Sequence, residues 1–98
     1  SPMIRHIIFF KFKADAGEAA IADLEASLNG LPGLIAEIRA FSCGRDVLRS
    51  ARSYDLALVA DFDDLAALDR YQIHPDHQAV VAKVKVLAES VVAVDFEC

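Results

Sequence analysis

Cysteine is scarce: Cys43 and Cys98 are the only two, they make no C-x-x-C pair, and Cys98 is the last residue. That spacing excludes a metal knuckle and a disulfide framework, and it suits a reducing compartment. Basic residues are outnumbered, with 10 Lys and Arg against 15 Asp and Glu, and the acids are spread along the chain for a net charge of -5. No basic patch is available to hold nucleic acid or an anionic membrane. No apolar stretch approaches the roughly 20 residues of a membrane span. No signal-peptide pattern opens the chain, so a cytoplasmic protein is expected, with Ser1-Pro2 read as a remnant ahead of Met3. The four glycines form neither a phosphate loop nor a dinucleotide fingerprint. Ser27, Ser42 and Cys43 lie in no motif that activates a nucleophile.

Apolar residues, in contrast, are abundant, at 55% of 98 residues. A chain of this length reads as one domain over residues 1–98, and its apolar content exceeds what a core of that size needs. The excess predicts burial against a second copy.

Residues 3–13 (MIRHIIFFKFK) are dense in Ile and Phe without a breaker and predict a strand. Its even face is Ile4, His6, Ile8, Phe10 and Phe12. Residues 18–31 repeat apolar side chains at Ile21, Leu24, Leu28 and Leu31, a helical period closed by Asn29-Gly30 and Pro32-Gly33. A short helical turn is expected over 34–38, a strand over 39–44 and a loop over 45–53. Residues 54–62 alternate as a strand with Leu56, Leu58, Ala60 and Phe62 on one face. Asp63 is the expected cap of a helix over 64–73; a second helix follows over 75–88, then a strand over 91–96.

This order predicts an α+β, ferredoxin-like βαββαβ arrangement: one antiparallel sheet with its helices on one face. The apolar strand faces, with Val92, Val94 and Phe96 assigned to the last strand, are expected to meet the helices. Ile7, Phe9, Ala57, Val59, Val91 and Ala93 are then left on the other face, among Arg5, Lys11, Asp55, Asp61 and Asp95. That face is more apolar than a monomer usually exposes, so two copies are expected to pack sheet to sheet as a dimeric α/β barrel.

Polar chemistry concentrates in Tyr71-Gln72-Ile73-His74-Pro75-Asp76-His77, in a chain with three histidines and two tyrosines. Pro75 favours the first position of a helix and drives His74 out of helical dihedrals. From His77, the apolar stripe Val80, Val81, Val84, Leu87 and Ala88 runs along one helix face, so His77 faces inward from the first turn. The helix N-terminus and burial both disfavour its protonation. His6 points into the same layer from the sheet, and Tyr71 stands one helical period from Leu68. Together they predict an apolar intrasubunit pocket with His77, Tyr71 and His6 as catalytic candidates, and His74, Ile8, Phe10, Leu24 and Leu28 as binding candidates. A metal held by His6, His74 and His77 competes with this, but the spacing straddles a proline and no acid is placed to complete it, so no metal and no cofactor is expected. In the plainest alternative His74 is a helix cap, His77 a core residue, and the dimer a structural or ligand-binding module.

With MIRHIIFFKFK at its start, LPGLIAEIRAFSCGRD in the middle, then YDLALVADFDDLAALDRYQIHPDH, and VVAVDFE at its end, the chain resembles the stress-responsive dimeric A/B barrel (Dabb) family. The resemblance covers nearly all of residues 3–97, and its most specific part is the H-P-x-H element joined to the preceding Tyr. It implies a ferredoxin-like subunit and a homodimer whose sheets form an eight-stranded barrel. It also implies function of two kinds, since the family holds non-enzymatic stress proteins as well as polyketide cyclases of the olivetolic acid type, which use no cofactor. By position, the cyclase residues fall on His6, Tyr71, His74 and His77. A further pocket tyrosine falls at Ser27-Leu28, where this chain has none, so the likeness carries the acid-base pair rather than the polyketide substrate. The implied chemistry is cyclase, isomerase or lyase action on a small apolar carbonyl compound.

Overall fold

In the computed structural model, which describes residues 2–98, strand β1 (Ile4–Phe12) lies at the centre of a four-stranded antiparallel sheet. The spatial order is β2 (Ala40–Arg45), β3 (Leu56–Phe62), β1, β4 (Ala88–Glu97). Helix α1 (Glu18–Gly30) connects β1 to β2, and α2 (Leu65–Ile73) with α3 (Pro75–Leu87) connects β3 to β4. This is the ferredoxin-like α+β architecture.

Antiparallel partners share a face. Ile4, His6, Ile8 and Phe10 stand opposite Phe62, Ala60, Leu58 and Leu56. Burial alternates without a break along β3, and its inner residues join Leu24, Leu28, Leu31, Ile35, Leu68, Tyr71 and Val80 in the core. Each such large side chain contributes about 1.5–3 kcal/mol on full burial. On the outer face Arg5 stands across from Asp61 and grips it with two hydrogen bonds, of 2.9 and 3.0 Å.

Three expectations are corrected. The helical turn falls at Leu31–Gly33, as a single 3-10 turn with Pro32 in its first positions, and not over 34–38. Asp64 caps α2: its carboxylate accepts from the Ala67 N–H at 2.8 Å, whereas Asp63 is taken by Arg39 at 2.9 and 3.0 Å. The third concerns β4. Its register sets Asp95 opposite His6, Ala93 opposite Ile8 and Val91 opposite Phe10, so these residues share the inner face. Val92, Val94 and Phe96 therefore point outward, where all three are exposed. The expected phase is inverted because β4 follows α3 with no intervening loop, and because its pairing with β1 shifts between Lys11 and Phe12.

Candidate active site

The interrupted helix is built around His74. Its backbone is extended, with φ -63° and ψ 135°, as the residue before a proline prefers, so α2 stops there and α3 starts at Pro75. His74 Nδ1 accepts from the Asp76 N–H at 3.1 Å, and the imidazole thereby caps α3. The break turns Tyr71, from the last turn of α2, toward His77, from the first turn of α3. Their ring centroids lie 4.2 Å apart. Phe62 packs on the same phenol at 4.8 Å, and His6 reaches it edge-on at 6.2 Å.

Each imidazole has one nitrogen engaged. His77 Nδ1 donates to the Gln72 carbonyl at 3.1 Å, which leaves Nε2 with a lone pair. Burial holds the His77 imidazole below its usual range; the Gln72 carbonyl opposes that, while His6 and His74 push the same way as burial. His6 is buried, and its Nδ1 donates to the Asp95 carboxylate, which leaves Nε2 unengaged. Tyr71 is 0% exposed, and among the described residues its hydroxyl has no hydrogen-bond partner. A buried hydroxyl in that condition is costly in a folded protein, so its retention has to be explained. Burial pushes the phenol up to about 12, so it is a donor and not a base.

These groups meet in a hollow of about 290 Å³ between the sheet and α3. Of the residues singled out from sequence, His6, Ile8, Phe10, Leu28, Tyr71 and His77 line it. Leu24 is fully buried in the core and is not part of the lining, and His74 sits outside it as the helix cap. Sequence reasoning missed Asp95, assigned to the opposite face, together with Gln72 and Lys85. Only the acid that interrupts the apolar run of VVAVDFE could have signalled Asp95, and only with the correct strand phase.

A larger hollow of about 570 Å³ lies around the C-terminal end of β1. Its arginines are already committed: Arg45 to Glu18 and Glu25, and Arg49 to Asp46 and Asp55. Lys11, Lys13 and Glu89 also line it, without ion-pair partners among the described residues, but it holds no histidine or tyrosine, so the smaller apolar hollow is the better candidate for acid-base chemistry. Among the described residues no three His, Cys, Asp or Glu side chains converge as metal ligands, and no helix is long and apolar enough to cross a membrane.

An uncharacterised protein of Streptomyces coelicolor is 37% identical to this chain, over 97% of the chain and 99% of its own length. A dimeric ferredoxin-like protein of unknown function from Thermobifida fusca superposes with a TM-score of 0.92 at 33% identity, covering 100% of this chain and 92% of that one. The hydroxynitrile lyase of Passiflora edulis has the same fold, with a TM-score of 0.88 at 18% identity over 99% of this chain and 94% of the lyase. Residues 4–98 match the family described as the stress responsive A/B barrel domain. The ferredoxin-like sheet, its open apolar outer face and the His74-Pro75 break between two helices agree with that match, and the chain belongs to the stress responsive A/B barrel (Dabb) family.

Proposed function

We propose that this chain forms a homodimer by packing sheet on sheet, and that each subunit binds a small, largely apolar carbonyl compound and carries out acid-base chemistry on it without a cofactor. The observation that carries the reading is the pairing of a buried, unpartnered Tyr71 hydroxyl with a half-buried His77 imidazole whose Nε2 is unengaged. A carbonyl oxygen in the hollow supplies the acceptor the phenol lacks. His77 Nε2 removes a proton from the carbon beside that carbonyl: the C–H bond breaks, its electron pair moves into the enolate, and the Tyr71 O–H holds the developing oxyanion. The proton then returns to carbon, for isomerisation, or the enolate carbon attacks a second carbonyl, whose π pair moves onto oxygen and takes the proton from His77, for ring closure. His6, held by Asp95, is a second imidazole against the phenol.

The dimeric state of the Thermobifida relative supports the assembly. That a hydroxynitrile lyase uses the fold supports its capacity to host catalysis. A non-catalytic binder would use the same Tyr71 hydroxyl and leave His77 idle. The two readings separate in deuterated buffer, by NMR of small ketones incubated with the protein. His77→Ala is expected to slow exchange of the protons beside the carbonyl by about 10²-fold or more, the usual size of a general-base contribution. Equal exchange with and without the imidazole would leave only the binder.

A further inference from the structure

The hollow is elongated, and its two ends differ in chemistry. His6 and His77 both abut Tyr71. Farther along the same two elements, the Lys13 N–H donates to the Leu87 carbonyl at 2.8 Å, so β1 and α3 progress in the same direction. At the Tyr71 end stand the two imidazoles and Asp95. At the other end Lys85 and Val91, both exposed, border the opening. At about 1.5 Å of rise per residue, Lys85 lies about 12 Å from His77 along the helix axis. Ile8, Phe10, Val80 and Val84 fill the wall between them with aliphatic and aromatic surface.

Lys85 is the only cation of the lining. Among the described residues no carboxylate pairs with it, whereas Lys83, two residues earlier on the same helix, is tied to Asp23 at 2.8 Å and to Ser27. The acid nearest the imidazoles, Asp95, is held by His6 and stands four residues from Val91 along β4, about 14 Å at 3.4 Å per residue. Among the described residues no carboxylate lines the hollow, Asp95 stands behind His6 at the reacting end, and an unpaired positive charge waits at the mouth.

We infer that Lys85 selects the substrate's charge: the ligand carries a carboxylate at the end remote from its reactive carbonyl, joined to it by an apolar spacer. This rests on the carbonyl-binding reading of the hollow and narrows it to oxo acids. At roughly 30 Å³ per molecule of liquid water, 290 Å³ holds about ten water-sized groups, which suits a medium-chain molecule that spans the two ends. Neutral ketones would leave the ammonium in water, while longer chains would leave the hollow altogether.

The probes are 7-oxooctanoate and its amide, which differ in charge at one end and present the same ketone at the other. Calorimetric titration of wild-type protein at low salt is expected to give about fivefold tighter binding of the acid than of the amide, a gap of the size that a partly exposed ion pair supplies. The gap should close in Lys85→Gln and at high salt, and persist in Lys85→Arg. Equal affinities in the wild type, or a gap that survives Lys85→Gln, would overturn the inference. NMR exchange of the protons beside the ketone, in deuterated buffer, tests the underlying reading separately. A charge gap without wild-type exchange would retain Lys85 as a selector of bound acids and remove the acid-base chemistry, whereas failure of both probes to bind would remove both.

Discussion

Replacing Tyr71 by Phe deletes a hydroxyl that is fully buried and has no hydrogen-bond partner. The ring contacts with Phe62 and His77 stay, so Tyr71→Phe is expected to leave thermal stability unchanged or raise it by about 1 kcal/mol, the desolvation relieved when such a group is removed. The same change removes the donor proposed for the enolate oxygen, and proton exchange should fall by about 10²-fold. Melting temperature and exchange rate measured on one preparation check both; a loss of stability in proportion to the loss of rate would make Tyr71 a packing residue. His77 makes an opposite demand. Burial lowers its affinity for protons in the folded chain, whereas in the unfolded chain it titrates near the ordinary 6.5. The unfolded state therefore binds more protons as pH falls below 6.5, so the stability from this group is complete above that pH and drains away as pH drops through the depressed folded value. Chemical denaturation of wild type and His77→Gln from pH 7.5 down to pH 5 should give a shallower acid decline in the variant, and parallel curves would show that His77 is not the group responsible.

At the scale of elements, strand and helix identities were legible from period alone, but caps and phases were not. Asp63 and Asp64 stand side by side ahead of α2, and either could cap it by residue type; only the extended backbone of Asp64, with φ -163°, brings a carboxylate onto the Ala67 N–H. Asp64→Ala is therefore expected to lower stability by about 1 kcal/mol in denaturant titration, within the usual range for a lost N-cap, and by more than Asp63→Ala, which gives up an exposed pair with Arg39. A larger loss from the Asp63 variant would reverse the assignment. The phase of β4 shows where hydrophobic alternation stops being informative. Alternation identifies the inner face of a strand only when the other face is polar, and here both faces of the sheet are apolar. Val91 and Val92 are interchangeable by composition, and the larger side chains Val92, Val94 and Phe96 were assigned to the core when they belong outside. The same inversion hid Asp95. His6, Tyr71 and His77 were legible as lining residues because β1 carries its charged residues Arg5 and Lys11 on one face only and Pro75 fixes where α3 begins.

At the scale of the whole molecule, the corrected phase makes the outer sheet face more apolar than the sequence had suggested. Phe9, Val92, Val94 and Phe96 stand on it together, with Val94 62% and Phe96 42% exposed. Its central charges, Arg5 and Asp61, neutralise each other across β1 and β3. Full burial of each such Val or Phe side chain is worth about 1.5–3 kcal/mol, and a twofold axis doubles every contact, so a second copy laid on this face would bury a substantial apolar surface. Val94→Lys and Phe96→Lys each place a charge on that face while leaving the helical side of the sheet untouched. Both are expected to sediment as monomers at concentrations where wild type is dimeric, with a wild-type circular dichroism spectrum. Ile73→Lys, which puts the same charge on a still more exposed apolar residue at the end of α2, is expected to remain dimeric. Dimers from both β4 variants, or a monomer from the Ile73 variant, would move the interface off the sheet and onto the helices. In that case the hollow beside α3 would lie next to the partner subunit instead of opening to solvent at Lys85.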